Sequence, residues 1–216
     1  MLIIGYSRVA APAGPSLVQL VASADGVNDG SANLLIPAGI AAGNTLVAAF
    51  KVGTFSLRTV ASAPSGWTLA DSDAGDMGFY VYRKTADGTE GGTTATWTMS
   101  ASCNAAFVFA EVSGNRAVSA AFASATLDPP SHAPSAGSAP TIWIAVSGAR
   151  RGDNEATAAP SGYSGLTGAA SGSSSNNMNV RIAGAYKAAT TASEDPGAFT
   201  WTGPTSGPQA ATISVR

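Results

Sequence analysis

The sequence predicts an all-β protein: a two-sheet antiparallel sandwich, jelly-roll-like and built from two related halves. Three observations carry that expectation. Short apolar runs are punctuated by Gly, Pro and Asp clusters about every ten residues. Almost no stretch holds a helical period. One turn is also written twice, as "SAPSGWTL" at 62–69 and "AAPSGYSG" at 158–165.

In chain order, "MLIIGYSRVAAPAG" is apolar but short and has no basic residue ahead of it, which argues against a secretory signal. Residues 1–15 read instead as an arm or a first strand. "ADGVNDG", with Asp25, Asn28 and Asp29, reads as a hairpin turn. "TLVAAFKV" (45–52) is an apolar run bounded by turn residues, as a buried strand would be. Pro64-Ser65-Gly66 sets a tight turn, Pro presetting φ and Gly supplying a positive one. Trp67 then opens a strand and drops into the core. In "GFYVYRKTA", Phe79, Val81 and Arg83 point one way and Tyr80, Tyr82 and Lys84 the other. "TATWTMS" sets Trp97 in a Thr-alternating strand. "NAAFVFAEV" gives Ala106, Val108 and Ala110 one face and Phe107, Phe109 and Glu111 the other.

The second half echoes the first. At an offset of 96, "TLVAAF" falls on "TIWIAV" (141–146) and Pro64 to Trp67 fall on Pro160 to Tyr163. Beyond the aromatic the offset is 104, matching Tyr82 to Tyr186, Glu90 to Glu194 and Trp97 to Trp201. One insertion in "GLTGAASGSSSNNMN" reconciles the two offsets, and such a small-polar tract reads as a surface loop. Trp67, Trp97, Tyr163 and Trp201 are therefore expected as core plugs, each ring burying about 150–250 Å². Residues 16–216 read as a single sandwich domain of halves 16–114 and 115–216, with two small sandwich domains as the alternative.

Composition narrows function. Only 11% of the 216 residues are charged and 45% are hydrophobic, yet no apolar run approaches the roughly 18–20 residues of a spanning helix. Eleven Lys and Arg are spread along a chain of net charge −2, which offers no basic stripe for nucleic acid. The single Cys103 excludes an internal disulfide. The single His132, in the proline-rich "DPPSHAPSAG", reads as a solvated loop residue and argues against a His-based metal cluster or a Ser-His-Asp machine.

Three places could still carry a site. Asp71, Asp73 and Asp76 in "DSDAGD" are hard oxygen ligands suited to Ca²⁺, although Asp also forms turns and the later glutamate of an EF-hand is missing. Asp25, Asn28 and Asp29 fit turn chemistry better than a ligand set. Glu90 and Glu194 could serve a glycosidase only if held about 5–9.5 Å apart, and repeated turn chemistry explains them more simply. Tyr80, Tyr82 and Tyr186 could stack on sugar rings, but half-buried strand tyrosines are the plainer expectation. No catalytic residue, cofactor or enzymatic activity is expected.

The series "IPAGIAAGNTLVAAF", "APSGWTL", "FYVYRKTADGTEGGTTATWT", "DPPSHAPSAGSAPTIWIAV" and "ATTASEDPGAFTWTG" resembles a diffuse family of virion structural proteins of tailed bacteriophages and prophages, over residues 31–216. The resemblance implies a non-enzymatic β-sandwich on the particle exterior, as a capsid decoration, cement or head-fibre protein. It implies contacts with the major capsid protein or other virion proteins and self-association, a trimer being favoured. A tail-associated or receptor- and carbohydrate-binding module, meeting a host-surface glycan, is the alternative. Neither nucleic acid nor membrane is an expected partner.

Overall fold

The computed structural model describes residues 14–53, 57–73, 78–150, 154–172, 179–203 and 205–216, apart from the side chains of Val27 and Asn28. The expected N-terminal arm thus lies almost wholly outside the described residues. The strands are β1 (Leu17–Leu35), β2 (Thr45–Gly53), β3 (Val60–Ser62), β4 (Thr68–Asp73), β5 (Phe79–Thr85), β6 (Thr94–Val112), β7 (Val118–Ser124), β8 (Ala139–Arg150), β9 (Ala156–Ala158), β10 (Ser164–Ala170), β11 (Val180–Thr191), β12 (Thr200–Trp201) and β13 (Ser206–Val215). No helix occurs among the described residues.

All ladders are antiparallel. The first sheet runs β1-β6-β2-β5-β4, with β3 also pairing β6; the second runs β10-β11-β8-β13-β7; β9 and β12 form a ribbon. The sheets pack face to face through Val47, Ala49 and Val108 on one side and Ile144, Val146 and Ile213 on the other. Their edges also meet, β1 lying against β10 and β4 against β7. At Gly184 the layers approach so closely that a Cβ would sit 2.7 Å from Val108 Cγ1.

Period-two alternation sends the other residues of β2 and β6 outward. Leu46, Phe50, Phe107 and Phe109 join Tyr80 and Tyr82 in a second core on the outer face of the first sheet. The lid of that core comes from the same long strands. β6 is 19 residues long, and only its later part, from Cys103 to Val112, is buried throughout. Its first part alternates, with Ala95, Trp97 and Met99 turned inward, and pairs with β3 and the end of β1. β1 changes register between Asp25 and Ser31 to follow it.

"ADGVNDG" is therefore an irregular bend inside one strand rather than a hairpin turn. Asp25 Oδ2 braces the bend by accepting from the Asn33 backbone N–H at 2.9 Å and from its Nδ2 at 2.7 Å. Around the second sheet the outer core is smaller, formed by Trp143, Ala145, Tyr163, Ala183, Ala185 and Phe199, with Ala156 of β9 and Trp201 of β12 against it.

The two-sheet antiparallel sandwich is as expected, but the path is not a jelly roll's. The chain completes the first sheet before entering the second, so its strands do not alternate between layers. Numbered by order of appearance, the five strands of either sheet's main path lie 1-5-2-4-3. Residue-for-residue correspondence is only partial. Trp67 and Tyr163 each directly precede a strand, after Gly66 and Gly162 at φ 81 and 78°. Inside β2 and β8, however, the offset of 96 sets outward Leu46, Ala48 and Phe50 on inward Ile142, Ile144 and Val146. A slip of one residue turns every side chain to the other face. An offset of 97, placing Leu46 on Trp143, restores the facing.

Candidate functional site

The carboxylates singled out in the sequence do not converge. Glu90 is buried beside the outer core of the first sheet. Its Oε1 and Oε2 accept from the backbone N–H groups of Asp87 at 2.8 Å and Gly88 at 3.0 Å, and Lys84 Nζ lies 2.9 Å away. Burial opposes its ionisation, but Lys84 and these amides outweigh burial and hold the carboxyl below its ordinary range. Glu194 lies at the outer core of the second sheet, 2.7 Å from Lys187, whose ammonium stands 5.9 Å over the Tyr163 ring. Both sheets separate the two glutamates, so they share no cleft. A further buried carboxylate, Glu111, holds the 36–44 loop through Ala41 N (2.9 Å) and Asn44 Nδ2 (2.7 Å). Each of these groups organises a loop.

Of the calcium candidates, Asp76 lies outside the described residues. Asp71 is exposed and accepts from the Ser72 N–H at 2.8 Å. Asp73 Oδ2 accepts from Ser124 Oγ and from Gln209 Nε2, the latter at 2.9 Å. Among the described residues no three His, Cys, Asp or Glu side chains form a metal-sized cluster. Asp29 accepts from the Ser31 N–H at 2.8 Å and serves the bend in β1.

The aromatics divide. Trp67 and Tyr163 are 7% and 8% exposed and Trp97 is fully buried, as core plugs should be. Trp201 differs: it is half-buried at the margin of the outer core, with Nε1 donating to Ser147 Oγ at 3.3 Å. The sugar-stacking candidates Tyr80 and Tyr82 are buried, and Tyr80 donates its hydroxyl to the Arg58 carbonyl. Burial, with a smaller contribution from Tyr82, lifts that phenol to about 12. Tyr186 is half-buried against Gly165, whose added Cβ would sit 2.9 Å from its ring.

His132 is no solvated loop residue. Its Nε2 lies 3.0 Å from Ser119 Oγ and 3.4 Å from Ser214 Oγ, and its ring meets Trp143 edge-on. Its backbone also bridges that of Glu194 in both directions. A Ser–His pair suggests an activated nucleophile, but activation needs a third group orienting the imidazole and donors for an oxyanion. Here one ring nitrogen is shared by two hydroxyls that also contact each other at 2.9 Å. That arrangement ties the proline-rich connection to β7 and β13.

A groove of about 340 Å³ runs beside Trp201, between β9 and the β10–β11 edge. Leu166 and Trp201 give it apolar walls, and Arg181 and Glu155 form an ion pair of 3.1 Å at its side. This combination of an aromatic ring, an aliphatic wall and a planar cation–carboxylate pair can hold a small polar ligand with an apolar face. No local signal in the sequence marks it, because its lining comes from four separate strands.

One more polar constellation escaped the sequence. Lys51 is fully buried between the sheets with Nζ donating to Gln209 Oε1, and Gln209 in turn meets Asp73. A lysine inside the apolar run "TLVAAFKV" was its only trace.

Comparison with protein-family models, curated proteins and solved structures finds no match to this chain.

Proposed function

We propose that this chain is a non-enzymatic structural protein of a tailed-phage particle, set on the outside of the capsid as a decoration, cement or head-fibre protein. The observation that carries the proposal is the use of its buried carboxylates. Glu90, Glu111 and Glu194 each hold a loop or pair with a lysine, which suits a body built for rigidity. Isolated aliphatics stand on the surface, among them Leu35 (63% exposed), Leu69 (52%) and Val18 (51%). With charged residues so scarce, such surfaces suit interface cores, which are depleted in charge. A stable contact buries about 1,200–2,000 Å² in total. Three copies around a local axis, resting on the major capsid protein, would reach that with modest patches on each.

The test adds purified protein to particles that lack it and measures what co-sediments, using the full chain and a chain without residues 1–15. The full chain is expected to bind capsids, and the shortened one to stay folded but bind more weakly. Binding to tails or host cells without binding to capsids would overturn the capsid assignment. It would favour instead the tail-associated or glycan-binding reading, to which the groove at Trp201 lends support.

A further inference from the structure

We propose that Lys51 and Gln209 condense into an amide cross-link between the two sheets, with Asp73 as proton carrier. This does not depend on the particle assignment.

Two opposed rungs bring the three side chains together. In the first sheet Asp73 of β4 pairs with Phe79 of β5, which pairs with Lys51 of β2. In the second, Ser124 of β7 pairs with Gln209 of β13, which pairs with Gly148 of β8. Gly148 makes the room, since a Cβ there would fall 2.9 Å from Lys51 Cδ. The lysine stem therefore crosses the layer over a bare backbone position and ends on the Gln209 side chain.

The contacts order the groups as an acyl transfer needs them. Lys51 Nζ is within hydrogen-bond reach of Gln209 Oε1, so the amide carbon is one bond further on. On the opposite side of that amide, Nε2 donates to Asp73 Oδ2 at 2.9 Å. Nζ thus stands at the carbonyl oxygen of the amide and the carboxylate at its leaving nitrogen, so attack needs Nζ only to pass from the oxygen onto the adjoining carbon. Lys51 is fully buried and Gln209 is 2% exposed, which keeps bulk water from competing. Fixed proximity of this kind replaces a bimolecular encounter and can be worth many orders of magnitude in rate.

The step balances without a co-reactant. Lys51 Nζ gives a proton to the Asp73 carboxylate and attacks Gln209 Cδ. The Nζ–Cδ bond forms, Nζ sheds a second proton to Nε2, the Cδ–Nε2 bond breaks, and the ammonia released takes the proton held by Asp73 and departs as ammonium. Nothing is oxidised or reduced. The product joins positions 158 residues apart in the chain.

The test is the intact mass of the full chain, denatured before measurement. One ammonia less than the sequence mass is expected. Tryptic digestion should then yield a branched peptide joining the segment around Lys51 to the chain end that follows Lys187. Lys51→Met should carry the full mass of its own sequence, and Asp73→Asn should remain mostly unlinked. A wild-type mass equal to that of the sequence, or an ammonia loss mapping elsewhere, would overturn the cross-link. An Asp73→Asn chain linked as completely as wild type would overturn the part given to Asp73.

Discussion

Replacing Trp97 by alanine should be far more damaging than replacing Trp201, although the two occupy matching places in the sequence pattern. Trp97 is fully buried, and its ring meets Phe50 at 5.2 Å, Trp67 at 5.3 Å, Tyr82 at 5.6 Å and Phe107 at 5.7 Å between centroids. Its Nε1 has no acceptor among the described residues, so truncation is a matter of packing. A buried Trp→Ala change costs about 3–5 kcal/mol. Four aromatic neighbours at about 0.5–1.5 kcal/mol each place it toward the upper end.

Trp201 keeps part of its ring in solvent and makes one long hydrogen bond to Ser147, so about 1–2 kcal/mol is expected there. Urea melts with unchanged slopes would report the difference directly. At about 2–4 °C per kcal/mol for a chain of this size, Trp97→Ala should melt about 6–20 °C lower. Equal losses at both positions, or less than about 1 kcal/mol at Trp97, would refute the two-layer account of β6.

Gly184→Val should destabilise by about 1–3 kcal/mol, because the new side chain meets Val108 across the layer and must part the sheets; a neutral melt would show that the sheets are less closely apposed. Stability should also fall as pH drops below about 6.5. Burial and the Arg216 cation hold the His132 imidazole below its ordinary value, so the unfolded chain takes up the proton first. The contribution is complete above the unfolded pKa and is lost as pH falls toward and through the folded one; His132→Gln should flatten that limb of the stability profile, and an unchanged limb would count against it.

Much of the fold was legible because strand period and turn chemistry are local. The Pro-Ser-Gly turns gave Trp67 and Tyr163 their burial, and the alternation in "GFYVYRKTA" gave β5. The path between sheets was not legible, since a ladder such as β6 with β2 is set by partners far apart in sequence. Nor was the double use of β1 and β6, because a 19-residue strand that bends looks like two strands and a turn. "ADGVNDG" misleads for that reason: Asp and Gly permit a bend as readily as a hairpin. The tie at His132 was hidden as well, since Ser119 and Ser214 reach it only once β7 and β13 pair.

The difference between the two outer layers follows from which residues face away from the sandwich. On the first sheet these include Phe50, Tyr80, Tyr82, Phe107 and Phe109, which fill the space under a lid made of β1, β3 and the start of β6. On the second, β11 turns Ala183 and Ala185 outward, and β8 offers Trp143, Ala145 and the small Ser147. The lid is also thinner. Asn33 and Leu34 of β1 continue the first ladder to Thr96 and Ala95, whereas the connection before His132 carries Pro129 and Pro130. Proline cannot donate to a ladder, so no strand extends there. Among the described residues an isolated bridge, His132 to Glu194, ties this connection to the outer layer. With fewer rings beneath it and no added strand beside it, Trp201 cannot be enclosed as Trp97 is. The groove against β10 and β11 stays open beside its ring. Filling it from the β10 side, by Ala170→Phe, should bury Trp201 and shift its fluorescence to the blue. An unshifted spectrum would mean that the open side of the ribbon, rather than the groove, keeps the ring exposed.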